Sequence, residues 1–248
     1  MLAIDAVTRR FGGLTAIDAV SAEVQVGELV GLIGPNGVGK TTLFNLISGF
    51  TPPSAGAIAF EGRRIDGLKP FDIAQLGIGR TFQNLRIFPN MSVFDNVSVG
   101  AIGASGVGLA QTLLGRSAPA REVSDRAYAA LDAVGLVDDA QELAANLSYG
   151  KRKYLEIARA LAMRPRLLIL DEPAAGLNET ETQSLARFIR ALHEQRLSII
   201  LVEHDMKLVM SICERVIVLA SGRKIADAPP DVVKRDPAVL EAYLGVEA

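Results

Sequence analysis

Nine residues, GPNGVGKTT from position 34 to 42, carry the most specific chemistry in the chain. Gly34, Gly39, Lys40 and Thr41 fit the spacing G-x-x-x-x-G-K-[ST], after the strand run LVGLI and before the helical run KTTLFNLIS. Glycines let successive backbone N–H groups curl round phosphate oxygens. A helix opening there adds roughly half a positive charge. Lys40 supplies a full charge to β- and γ-phosphate oxygens, and the Thr41 hydroxyl suits Mg²⁺. A turn that merely started a helix would not require Lys and then Thr.

LLILDEP closes a buried-strand pattern on two acids, Asp171 and Glu172, before Pro173. Two acids at a strand end mean little alone. Beside a phosphate loop, Asp171 suits the Mg²⁺ shell and Glu172 suits the attacking water. LVEHDM repeats the arrangement, placing His204 after the run Ile199–Val202, where it suits a γ-phosphate contact. His193 reads as a solvated side chain. Gln83, in RTFQN, could reach Mg²⁺ or water. Phe11 could stack on adenine or fill a core, and spacing alone does not separate these. A second loop, LSYGKRK at Leu147–Lys153, also looks like a phosphate cradle heading a basic helix over Lys151–Met163, with Ser148 as its N-cap. One chain with one strong cradle has no evident need for another.

Positioning these residues requires short strands that alternate with helices. Apolar runs of strand length occur at Leu29–Ile33, Leu167–Leu170, Ile199–Val202 and Val216–Leu219. Between the last pairs, Asn178–Gln195 carries Leu185, Phe188, Ile189 and Leu192 at helical spacing. The pattern predicts an α/β fold with a mainly parallel sheet. Ala3–Thr8, Val20–Val26 and Ala57–Phe60 predict a small N-terminal antiparallel β lobe. Residues about 85–163 lack strand runs and predict an inserted helical lobe. One domain over 1–248, with a helical tail from about 229, is the expected organisation.

Composition removes several classes. The 26 Lys and Arg against 28 Asp and Glu give a net charge of −2, no footprint for nucleic acid. The single cysteine, Cys213, excludes an intrachain disulfide, points to a reducing, cytosolic setting and reads as core filler. MLAIDAVTRR lacks the apolar segment of a signal peptide. The uncharged stretch Asn96–Gly115 is too rich in glycine for a membrane span and reads as a glycine-rich loop with a short helix. It fits contact with a membrane partner better than entry into the bilayer.

In this order, the pieces resemble the ATP-binding cassette (ABC) family of ATPases over essentially the whole chain. GPNGVGKTT resembles its Walker A, Gln83 its Q-loop, LSYGK its signature loop, LLILDE its Walker B, AAGLN its D-loop and His204 its switch histidine. FGGLTAI, RTFQNLRIF, LSYG, DEPAAGLN and VEHDMKLVM look most like the ATPase subunit of branched-chain amino-acid importers. Tyr149 and Lys151 depart from the usual Leu-Ser-Gly-Gly-Gln signature, and Asn178 stands where many members have Asp.

The resemblance implies an ABC-type P-loop NTPase fold, ATPase activity and the cofactors ATP and Mg²⁺. It implies an ATP-binding set of Phe11, Ala16, Gly34, Pro35, Asn36, Gly37, Gly39, Lys40, Thr41, Thr42 and Gln83. Lys40, Glu172 and His204 become catalytic, and Thr41, Gln83 and Asp171 hold the metal. Ser148, Gly150 and Asn178 reach ATP in trans, because two subunits pair head to tail, which would explain the second cradle. Implied partners are a second ATPase subunit (the same chain or a paralogue), transmembrane permease subunits and, indirectly, a periplasmic substrate-binding protein, with no nucleic acid. The implied location is the cytoplasmic face of the membrane, peripherally. Service to a urea, amide or lipid transporter, or a non-transport role in DNA repair or translation, remains an alternative.

Overall fold

The computed structural model describes residues 1–104 and 120–244. They divide into two compact units: Met1–Ile73 with Thr182–Ala248, and Ala74–Glu181.

The first unit holds two groups of strands. β1 (Leu2–Phe11) and β2 (Leu14–Val24) form an antiparallel hairpin, and β1 also pairs with β4 (Ala55–Phe60), beside which lies β5 (Arg63–Arg64). β2 begins well before Val20, because Leu14 and Thr15 pair with Phe11 and Arg10 across a turn of two glycines. The polar alternation there hid the strand from an apolar-run reading. The second group centres on β3 (Leu29–Ile33), parallel to β8 (Ser198–Val202) on one side and β9 (Arg215–Ala220) on the other. β10 (Arg223–Ala228) adds antiparallel to β9.

Every residue of β3 and β8 is buried, as continuous apolar runs in parallel strands require. Each large side chain buried this way contributes about 1.5–3 kcal/mol. The register sets Leu32 opposite Val202 and Ile33 opposite Val218. The segments that follow β3 and β8, Gly34 onward and Glu203–His204, therefore leave the sheet at one edge.

The helix expected over 178–195 spans Glu179–Glu194 and buries Leu185, Ile189 and Leu192. His193 is not simply solvated. Its Nε2 lies 2.8 Å from the Gly27 carbonyl and 3.7 Å from a Glu214 carboxylate oxygen. Cys213 is buried in this unit, as core filler should be. The chain closes with helices Pro230–Val233 and Pro237–Leu244.

In the second unit β6 (Ile78–Arg80) runs parallel to β7 (Leu167–Asp171), with Arg80 opposite Ile169. Helices Val93–Ala104, Ala120–Ala133 and Tyr149–Leu161 pack round Val93, Val97, Leu131 and Leu155. The last of these starts two residues earlier than the expected Lys151, so Tyr149 and Gly150 form its first turn. Of the uncharged stretch 96–115, residues 96–104 belong to the Val93–Ala104 helix and the rest lies outside the described residues. Among the described residues no helix is long and apolar enough to cross a membrane.

Candidate active site

In the first unit the phosphate loop joins β3 to the helix Lys40–Ile47. Its glycines are fixed by geometry. Gly34 (φ +152) would bring a Cβ to 2.2 Å from the Leu219 carbonyl, and Gly39 (φ +107) to 2.5 Å from that of Ala16. Gly39 is also the helix N-cap and supplies no side-chain acceptor. Ala16 thus lies beside the end of the loop. Lys40 is buried, its Nζ donating to the carbonyls of Gly34 (2.5 Å) and Pro35 (2.9 Å). Asn36, Gly37 and Thr41 are exposed, Thr42 half-buried. A loop whose backbone leaves no room for a Cβ at Gly34 or Gly39 and whose lysine folds back across it fits a polyphosphate.

Phe11 ends β1 and is 46% exposed, with the Arg9 guanidinium 4.4 Å from its ring centroid. That excludes the core reading and leaves a ring face suited to stacking. His204 is exposed just beyond β8, its backbone N–H donating to the Glu203 carboxylate. Asp205 caps the helix Met206–Ile212, accepting from the N–H groups of Lys207 and Leu208.

In the second unit Gln83, three residues past β6, meets Glu172, which follows directly on β7. Gln83 Nε2 donates to a Glu172 carboxylate oxygen at 2.8 Å. Glu172 occupies the left-handed region (φ +51), an uncommon conformation for a residue with a Cβ. Lys153 Nζ donates to its carbonyl at 3.3 Å. Asp171 is buried. Its N–H donates to the Thr81 hydroxyl and its carboxylate pairs with Arg80 Nη2 at 3.0 Å. Burial pulls the Arg80 guanidinium below its ordinary range, and the hydrogen bond it donates to Asp171 opposes that shift.

The LSYGK and AAGLN segments meet in the same unit. Ser148 caps the Tyr149–Leu161 helix through its hydroxyl, which accepts from Lys151 N–H. Tyr149 donates to the Ala175 carbonyl, and its ring lies where a Cβ on Gly176 would approach to 2.9 Å. A tyrosine in place of the usual glycine is thus accommodated by a glycine on the facing loop. A Cβ on Gly150 would stand 3.1 Å from Glu181 Oε1. Lys151 pairs with Asp139 at 2.8 Å. Asn178 caps the Glu179–Glu194 helix reciprocally: its side-chain Oδ1 accepts from the Glu181 backbone N–H, and its own backbone N–H donates to the Glu181 carboxylate.

Sequence reasoning missed Arg80, Lys153 and Glu156. All three are charged and nearly inaccessible. Lys153 and Glu156 share a helical stripe with Ile157 and Ala160, each buried, and charge on that stripe is the signal that could have found them.

Among the described residues no three His, Cys, Asp or Glu side chains converge on a metal. Mg²⁺ needs no such cluster, since it keeps several waters and takes one or two carboxylates, such as Asp171 at the end of β7, together with substrate phosphates.

Each half of this constellation is what an ATP-binding cassette requires, and the chain belongs to the ABC transporter family, which matches residues 17–175. It is an ATPase of that family. A second family, branched-chain amino acid ATP-binding cassette transporter, matches residues 223–248. The high-affinity branched-chain amino acid transport ATP-binding protein LivG of Salmonella typhimurium is 43% identical over 249 residues, covering 99% of this chain and 98% of its own length. BraF of Pseudomonas aeruginosa, with the same description, is 42% identical over 251 residues at the same coverage. A solved ATP-binding cassette of an ABC transporter, in its ADP conformation, matches with a TM-score of 0.87 at 30% identity, over 99% of this chain and 98% of that one.

Proposed function

We propose that this chain is the ATP-hydrolysing subunit of an importer of branched-chain amino acids. The observation that carries the chemistry is a Glu172 carboxylate held by Gln83 at the end of β7 in a chain that also bears the Gly34–Lys40 phosphate loop. The substrate class is supported by the near full-length similarity to LivG and BraF and by the match at 223–248.

In this reading the whole chain is one cassette, with the helical insertion at about 85–163 and the tail from about 229. Gly34, Pro35, Asn36, Gly37, Gly39, Lys40, Thr41 and Thr42 cradle the ATP phosphates, while Phe11 and Ala16 take the adenine end. Thr41, Gln83 and Asp171 would hold Mg²⁺, which would supply neutralisation of the phosphate charge. Glu172 orients and deprotonates the attacking water. Lys40 and His204 stabilise the charge that develops on the γ-phosphoryl oxygens. Ser148, Gly150 and Asn178 contact ATP held by a second ATPase subunit. That pair, peripheral at the cytoplasmic face, drives transmembrane permease subunits fed by a periplasmic binding protein.

Two measurements test the reading. Lys40→Ala should abolish hydrolysis, because the charge facing the β- and γ-oxygens is lost; undiminished turnover removes the phosphate-loop assignment. A strain lacking the chain should lose uptake of radiolabelled leucine, isoleucine and valine and keep urea uptake. The opposite pattern reassigns the substrate.

A further inference from the structure

The Tyr149–Leu161 helix carries two charged side chains inward. Lys153 and Glu156 are each 3% exposed. Burying a carboxylate costs several kcal/mol unless it is matched, so its partners show what it is for. Glu156 Oε1 accepts from the backbone N–H of Phe82 at 3.2 Å and of Arg86 at 3.4 Å. The two donors bracket Gln83. Arg159, one turn on, lies 3.9 Å from the same oxygen and donates to the Arg86 carbonyl. The Arg86 guanidinium closes the loop on itself, 4.3 Å from the Phe82 ring centroid. Lys153 ties the same helix to the Glu172 carbonyl. Burial pushes the Glu156 carboxyl above the usual carboxylate range, against the lowering by these N–H groups and by Arg159 and Lys153.

The loop from Phe82 to Arg86 has no pairing within a strand, so its shape depends on such ties. Gln83 can keep its amide on the Glu172 carboxylate only while the backbone on both sides of it is held. One end of the helix is Ser148, the residue that meets the second subunit's nucleotide. The middle of the helix holds the loop that sets Glu172.

We propose that Glu156 is a positioning residue that fastens the Ser148-headed helix to the loop carrying Gln83, so that movement of the helix at its Ser148 end is passed to the water-activating carboxylate of the same chain. This rests on the ATPase reading above. Lys153 makes a second connection to the same acid. The helix then acts as a lever between the trans contact and the cis chemistry, and the carboxylate, not the helix alone, is the coupling part.

The test compares Glu156→Leu with Glu156→Gln in the full chain. Leucine fills the same space without an acceptor, whereas the glutamine carbonyl still accepts from both N–H groups. Glu156→Leu should lower kcat roughly 5- to 150-fold, the range typical of a coupling between sites, with KM for ATP and binding of a fluorescent ATP analogue unchanged. Amide hydrogen exchange at Phe82 and Arg86 should accelerate in that variant. Glu156→Gln should stay within about twofold of the unmodified chain in kcat and keep both amides protected, since one oxygen still serves both donors. A Glu156→Leu protein with unchanged kcat, or with unchanged exchange at Phe82 and Arg86, overturns the proposal. So does a Glu156→Gln protein that loses activity while both amides stay protected. An unmodified chain that binds ATP but never hydrolyses it overturns the underlying ATPase reading instead.

Discussion

Gly100 lies on the Val93–Ala104 helix where that helix crosses Tyr149–Leu161. A Cβ built there would stand 2.1 Å from the Arg159 carbonyl oxygen and 3.1 Å from its carbon. The obstacle is backbone and cannot swing aside. Restoring an ordinary contact after Gly100→Ala requires the helices to part by about 1 Å, and overpacking of this kind costs about 1–3 kcal/mol. The upper end applies, because a helix must move and not a side chain. Alanine returns up to about 1 kcal/mol of helix propensity. The net loss is about 2 kcal/mol, which lowers Tm by roughly 4–8 °C for a protein of this size. Gly103, on the same helix, has nothing within 4 Å of its Cβ position, so Gly103→Ala supplies the control. It should leave Tm unchanged or raise it. Thermal unfolding followed by circular dichroism reads both. Equal stabilisation by the two substitutions would refute the close crossing. Because Arg159 also donates to the Arg86 carbonyl, parting these helices should loosen the loop that carries Gln83.

Glu172→Gln keeps the hydrogen bond to Gln83 and removes the charge, so hydrolysis should fall by about 10²–10⁴ while ATP still binds; normal turnover in steady-state assays would move the base to another residue. The same variant should collect as an ATP-dependent dimer on size-exclusion chromatography, and an inactive variant that stays monomeric would mean that the two cradles alone do not hold the pair. Cys213 should resist alkylation by iodoacetamide at pH 8 until the chain unfolds, because burial, with the nearby Glu214 charge, pushes its thiol up to about 12. Rapid labelling of the folded chain would contradict that burial.

The strands nearest the chemistry were legible because parallel strands buried on both faces must be apolar throughout. LVGLI, LLIL and IILV announce β3, β7 and β8 for that reason. The phosphate loop was legible because Gly34 and Gly39 answer a backbone demand that no other residue meets at low cost. β6 and β10 were not. IGR is three residues with a glycine and an arginine, and RKIADA has three charges, two alanines and one large aliphatic along a partly exposed strand. Neither has enough apolar surface to mark itself. Phe11 was undecidable for a different reason: the same aromatic at the same spacing suits a core or a ligand, and only its 46% exposure separates the two.

The buried charges show the limit of local reading most sharply. Arg80 meets Asp171 and Glu156 meets Phe82 across stretches of chain far longer than any periodicity window. A pattern rule sends charges to the solvent face, since Glu, Lys and Arg are almost never fully buried unless paired. Yet Lys153, Glu156, Ile157 and Ala160 fall at i, i+3, i+4 and i+7, and all four are buried. Replacing buried ionic groups by well-packed apolar residues is often neutral or stabilising. A leucine at position 156 would complete that stripe, so fold stability alone does not account for a carboxylate there. What a leucine cannot do is accept the two N–H groups on either side of Gln83. The acid is explained by the loop it holds, and through that loop by the carboxylate of Glu172.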